Sequence, residues 1–183
     1  NMTPEGPDMD QVEELIQDPA VKGIWCVPKY SNPQGYTYSD ETVRRFAALK
    51  PAVRDFRIFW DNAYCVHELS DTPDTLLSLW EECKKAGSED LAFYFSSMSK
   101  ITFPGSGGEN LKVLREHFSF QTIGRDKLSQ LRHVKFLKNI DGVHEQMKKH
   151  RTILEPKFQV VLEKLRGELG GLGVARWTEP HGG

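Results

Sequence analysis

Apolar positions along the first hundred residues follow two alternating rhythms, and the alternation predicts the architecture. In DMDQVEELIQD, Val12, Leu15 and Ile16 fall at helical spacing behind acidic N-cap candidates. GIWCVP is a compact apolar run stopped by Pro28 and followed by the turn-prone YSNPQG, the pattern of a buried strand ending in a tight loop. SDETVRRFAALK puts Val43, Phe46 and Ala47 on one face, and Pro51 marks its exit, so a second helix is predicted. FRIFWD, closed by Asp61, reads as a second strand. TPDTLLSLWEECKKAG reads as the next helix, with Pro73 expected in its first turn and Gly87 at its C-terminal cap. LAFYFSSMSK is the third strand and runs into the glycine-rich turn FPGSGG.

Short buried strands alternating with amphipathic helices predict an α/β fold: a mostly parallel sheet covered on both faces, three layers in all. Such sheets hold ligands beyond the carboxyl ends of their strands. From Asp126 to about Leu169 the chain turns helical, with Leu154, Phe158, Val161, Leu162, Leu165 and Leu169 on one stripe expected to enter a core. Gly142 and Pro156 are expected to break or kink that helix. The tail GGLGVARWTEPHGG reads as a strand that begins without a partner in this chain. Trp25, Trp60 and Trp80 are expected to pack, since they lie in strand runs or on helix faces.

Composition narrows the functional classes. The 183 residues suit one domain, and 38% hydrophobic with 27% charged residues is a globular mixture. Lys and Arg number 24 against 26 Asp and Glu, a net charge of -2, so no field draws the protein to nucleic acid. No apolar run approaches the roughly 20 residues that span a bilayer, and the N-terminus lacks a basic flank and an apolar h-region. No membrane association and a cytoplasmic location are the expectations. Cys26, Cys65 and Cys83 are odd in number and lack CxxC spacing, which predicts reduced thiols. The six histidines show no HExxH spacing, so no metal site is expected. His67, His133 and His181 read as structural, and the run Lys148, Lys149, His150, Arg151 as a solvated helix face.

Candidate chemistry sits at the three strand ends, in the order Asn32-Pro33-Gln34-Gly35, Asp61-Asn62-Ala63-Tyr64 and Ser97-Met98-Ser99-Lys100. Each motif alone also reads as a turn, a cap or a solvated surface residue. Together they can hold one electron-poor heterocycle. A lysine amine forms a Schiff base with an aldehyde, a carboxylate keeps a pyridine nitrogen protonated, Asn and Tyr hydrogen-bond a phenolate oxygen, and Ser with glycine-loop amides holds a phosphate. Pyridoxal 5'-phosphate needs all four.

With these motifs the chain resembles the fold-type I pyridoxal-phosphate-dependent aminotransferases, and within them the bacterial aspartate aminotransferase-like subgroup. The resemblance runs through GPDMD, VKGIWCVPKYSNPQG, FRIFWDNAY, SSMSKITFPGSG, QTIGRDKLSQLRHVKFLK and WTEPHGG in order. It implies that Lys100 carries the cofactor as an internal aldimine and moves the proton at the substrate Cα. Asp61 is implied as partner of the pyridinium nitrogen, Tyr64 and Asn32 as donors to the ring oxygen, and Ser97 with Ser99 as phosphate ligands. The implied substrates are an amino acid, aspartate or glutamate, and a 2-oxo acid, with a homodimer as the working assembly. Another reaction of the same cofactor (racemisation, decarboxylation or lyase chemistry) and an aminotransferase-like ligand-sensing module are the alternatives.

The resemblance also implies the layout. Residues 1–125 correspond to the C-terminal half of the cofactor-binding large domain, 126–169 to an interdomain helical region, and 170–183 to the start of the small domain. The ring-stacking aromatic and glycine-rich loop of the family are expected before Asn1, and the arginine for the substrate carboxylate after Gly183. These residues alone are therefore not expected to be a competent catalyst. Two departures stand out. Eight residues after Lys100, where many relatives carry a phosphate-binding arginine, this chain has Gly108, and the stretch GSGGENL is short for the small helix expected there.

Overall fold

The computed structural model describes residues 1–98, 100–101 and 127–183. Ser99, Gly108, the GSGGENL stretch and the boundary expected near residue 125 lie outside the described residues.

Three strands, β3 (Gly23–Cys26), β4 (Arg57–Asp61) and β5 (Ala92–Phe95), form a parallel sheet in the order β3-β4-β5. They pair in register, Cys26 opposite Trp60 and Trp60 opposite Tyr94. A two-residue hairpin not foreseen from the sequence, β1 (Met2–Thr3) with β2 (Gly6–Pro7), precedes them. Helix α1 (Met9–Leu15) leads into the sheet, α2 (Asp40–Ala47) connects β3 to β4, and α3 (Leu79–Ala86) connects β4 to β5. The predicted α/β alternation is therefore observed.

Each of these helices starts where a short polar side chain can take a free backbone N–H. Asp8 accepts from Gln11, Ser39 from Thr42 and Ser78 from Glu81. Two boundaries differ from expectation. Helix α3 begins at Leu79, capped by Ser78, so Pro73 lies in the loop before it and not in its first turn; Gly87 closes it as expected, with φ 66°. Strand β5 ends at Phe95, which leaves Ser96 and Ser97 outside the ladder.

Helices α1–α3 cover one face of the sheet. Val43, Phe46, Phe56, Ile58, Leu79 and Cys83 are fully buried there, and the Phe46, Tyr38 and Trp60 rings meet at 5.6–6.1 Å. Complete burial of a side chain such as Ile58 or Phe46 stabilises by about 1.5–3 kcal/mol. Trp60 packs as expected, but Trp25 and Trp80 are 62% and 42% exposed. Trp25 lies on the opposite sheet face, stacked on Phe59 at 5.4 Å.

Beyond the sheet come α4 (Lys127–Leu137) and α5 (Ile140–Leu169). The break between them falls at Lys138, with φ 65°, and at Asn139, whose side chain caps α5 through the Gly142 N–H. Gly142 thus belongs to the first turn of α5, and a Cβ there would meet the Leu137 carbonyl, so glycine permits the close junction. Pro156 does not break α5. Pro156 and Thr152 are both at exposed positions of α5, and the 30-residue helix continues through the missing Pro156 N–H. The stripe from Leu154 to Leu169 is not core: Leu154, Phe158, Leu162, Leu165 and Leu169 are half-buried and Val161 is exposed. Its middle part instead lines a groove of about 580 Å³ together with Pro33, Gln34, Trp177 and Pro180. The basic run on α5 is only partly solvated, because Arg151 pairs with Asp71 at 2.6 Å and with Glu155 at 3.0 Å.

The tail forms no strand across 170–181, and it does find a partner: Gly182 makes an antiparallel bridge with Glu68. The Leu69 N–H donates to the His181 carbonyl and the Gly183 N–H to the His67 carbonyl, both at 3.0 Å. A Cβ at Gly182 would run into the Tyr30 ring and the His67 carbonyl, so only glycine allows this approach.

Candidate active site

The parallel register brings the carboxyl ends of β3, β4 and β5 to one edge. Side chains alternate along β4, so while Ile58 and Trp60 enter the helical core, Phe59 and Asp61 share the other face with Trp25 and Phe95. Asp61, the last residue of β4, therefore stands half-buried at the rim of an aromatic surface whose ring centroids lie 5.4–6.0 Å apart.

After Asp61 the backbone coils tightly. Asn62 N–H donates to the Phe95 carbonyl at 2.9 Å, Cys65 N–H to Asn62 at 3.4 Å and His67 N–H to Tyr64 at 3.0 Å. These turns present Tyr64 to the segment following β5. There the Ile101 N–H donates to Met98 at 3.0 Å, forming a second turn that carries Lys100. The Lys100 ammonium lies 4.5 Å from the centroid of the Tyr64 ring, a cation–π contact.

Lys100 and Tyr64 are thus brought together from positions 36 apart in the chain. Asp61, the last residue of β4, and Asn32, in the loop after β3, share the edge with them without a hydrogen bond to that pair among the described residues. Asn32 is exposed in the loop after β3, where the Asn32–Pro33 peptide is cis. Ser97 is half-buried two residues beyond β5. The groups available at this edge are an amine, a carboxylate, a phenol, an amide and a hydroxyl. That donor set fits an aldehyde-bearing, phosphorylated pyridine, since it supplies a partner for each of its polar functions.

Three neighbours have no place in the site as read from the sequence, where His67 reads as structural, Cys65 as a reduced thiol and Lys29 carries no assignment. His67 Nε2 lies 3.2 Å from the Lys100 carbonyl oxygen, and its ring meets Tyr64 edge-on at 5.5 Å. Burial lowers the His67 pKa from its ordinary 6.5, against hydrogen bonds that raise it. The i, i+3 spacing of Tyr64 and His67 was the available signal. Lys29, with only 8% of its side chain exposed, pairs at 3.1 Å with Glu68; a partner 39 residues away leaves no local signal. Cys65 has its thiol pKa raised by burial, partly offset by a hydrogen bond with Ser96. Lys29 and Cys65 border a cavity of about 590 Å³ with Trp60, Asn62, Trp80 and Ser96. Among the described residues, Trp60 lines that cavity and Asp61, Tyr64 and Lys100 do not.

A sequence model of the aspartate amino-transferase family matches residues 1–183. The chain belongs to that family. It is 42% identical over 189 residues to an aspartate aminotransferase from Corynebacterium glutamicum, a match covering 100% of this chain and 44% of that relative. The crystal structure of an aspartate transaminase from the same organism superimposes with a TM-score of 0.93 at 42% identity, over 100% of this chain and 45% of that one. An alpha-aminoadipate aminotransferase from Thermus thermophilus, complexed with N-(5'-phosphopyridoxyl)-L-leucine, matches with a TM-score of 0.77 at 25% identity, over 99% and 46% of the two chains. The chain therefore spans slightly less than half the length of the aminotransferases it matches. As a member of this family it has the α/β fold seen in these relatives. Among the described residues, no helix is long and apolar enough to cross a membrane.

Proposed function

We propose that the protein is a pyridoxal-phosphate-dependent aminotransferase exchanging an amino group between aspartate or glutamate and a 2-oxo acid. The observation that carries this reading is the Lys100 ammonium held 4.5 Å over Tyr64 at the sheet edge that ends in Asp61. Family membership and the likeness to an aspartate transaminase along the whole chain support the same reading.

When bound, pyridoxal phosphate supplies an aldehyde that accepts primary amines and a ring that withdraws electrons from the substrate Cα. Lys100 is the residue for covalent attachment and, once its amine is free, the base that moves the Cα proton. Asp61 holds positive charge on the ring nitrogen by its own negative charge. The Tyr64 hydroxyl and the Asn32 side-chain amide donate to the ring oxygen. Ser97 and Ser99 accept the phosphate-binding role, with Ser99 outside the described residues. A homodimer, a cytoplasmic location and the division at 1–125, 126–169 and 170–183 belong to the same proposal.

Borohydride reduction of the intact, cofactor-loaded protein, followed by peptide mass spectrometry, tests the reading. Pyridoxyl label on the Lys100 peptide is expected; label on another lysine removes the central assignment. A competition between amino donors then tests the substrate class: preference for alanine or an aromatic amino acid over aspartate overturns the dicarboxylic choice and leaves the aminotransferase reading standing.

A further inference from the structure

We infer that His67 is a positioning residue for Lys100, acting through the Lys100 backbone. The inference deepens the aminotransferase reading, since it takes Lys100 as the reactive amine.

Three contacts close a circuit. The Lys100 ammonium lies over the Tyr64 ring at 4.5 Å, the Tyr64 ring meets the His67 ring at 5.5 Å and 74°, and His67 Nε2 returns to the Lys100 carbonyl at 3.2 Å. The last contact fixes the chemistry of the imidazole. A carbonyl oxygen only accepts, so in this contact Nε2 carries the proton. Because the bond joins residues 33 apart, it ties the turn bearing Lys100 to the turn bearing Tyr64, just beyond Asp61.

His67 is itself anchored and has little freedom to follow Lys100. It is 7% exposed, its N–H donates to Tyr64 and its carbonyl accepts from Gly183, both at 3.0 Å. Among the described residues its buried Nδ1 has no hydrogen-bond partner of good geometry, and besides Lys100 only the Tyr64 backbone lies near enough to act on the ring through a hydrogen bond. A ring needed only for packing would be better served by phenylalanine, which fills similar space without an unsatisfied buried nitrogen. What histidine adds is the Nε2 donor. That donor restrains the main chain from which the Lys100 side chain springs, and small displacements of a reacting group reduce rates steeply.

Two variants of the intact protein separate donor from packing. His67→Gln keeps an N–H at the distance of Nε2, whereas His67→Phe keeps the ring and removes the donor. In His67→Phe, with cofactor removed, labelling of Lys100 by an amine-selective reagent, followed peptide by peptide, is expected to quicken about fivefold, the equivalent of one ordinary hydrogen bond. With cofactor, kcat is expected to fall by a similar factor at unchanged KM, and His67→Gln is expected to restore both. Native labelling and kcat in His67→Phe, or equal defects in the two variants, overturns the inference. Should neither variant fold, long-range nitrogen–proton correlation spectra of histidine-labelled native protein decide: an Nε2–H ring supports the restraint and an Nδ1–H ring overturns it. Failure of borohydride to label Lys100 would count against the aminotransferase reading alone, because the labelling comparison reports the His67–Lys100 coupling without any turnover.

Discussion

The Lys100 ammonium and the Tyr64 ring face each other at 4.5 Å across two turns that leave adjacent parallel strands. Neither turn is held by this contact alone, since a cation–π pair at an exposed site contributes only about 0.5–1 kcal/mol. Backbone hydrogen bonds from Asn62 to Phe95 and from Ile101 to Met98 set the two turns, and the side chains meet as a result.

Tyr64→Phe keeps the ring face offered to Lys100 and deletes only the hydroxyl. Thermal stability should stay near native, while loss of one charge-assisted donor should lower kcat/KM about tenfold. Steady-state kinetics beside a melting curve check this; unchanged kcat/KM would remove the hydroxyl from the site.

Asp61→Asn preserves shape and removes charge. Electrostatic preorganisation of this kind is worth several kcal/mol in a transition state, so kcat should fall by at least about a hundredfold. Asp61 is half-buried at a strand end, and the substitution should leave the unfolding midpoint little changed. Near-native turnover would refute the role.

Lys29 and Glu68 form an ion pair with side chains 8% and 21% exposed. Removing one charge strands the other in a poorly solvated place, so Glu68→Leu alone should cost about 3 kcal/mol. Combining it with Lys29→Met should recover most of that loss. Urea unfolding of the single and double variants measures the coupling, and additive effects would show that the pair is solvated after all.

His67 has a folded pKa below its unfolded 6.5 because burial disfavours the charged ring. Glu68 opposes that shift and His150 adds to it. Between the two pKa values the unfolded chain binds more protons, so stability is fully present above about pH 6.5 and declines as pH falls through the folded value. The urea midpoint should therefore drop from pH 7.5 to 5.5 by more in the native protein than in His67→Gln. Parallel pH profiles would show that His67 titrates alike folded and unfolded.

Local pattern determined the elements of this protein. The apolar runs GIWC, RIFWD and AFYF became strands, Ser39 and Asp8 became helix caps, and the order of motifs carried the family resemblance, because these depend on residues within one turn or one strand of each other. What the elements do to one another was decided only by the tertiary structure. Pro156 stays helical because its side of α5 is open to water, and the Leu154–Leu169 stripe is half-buried because it meets a loop and the tail instead of a sheet. At the candidate site the sequence offered Asp61, Tyr64 and Lys100 as types at three strand ends. His67, Lys29 and Gly182 acquire their meaning from partners 33, 39 and 114 positions away. Such contacts form when parallel strands bring distant turns to one edge, and no local periodicity records them.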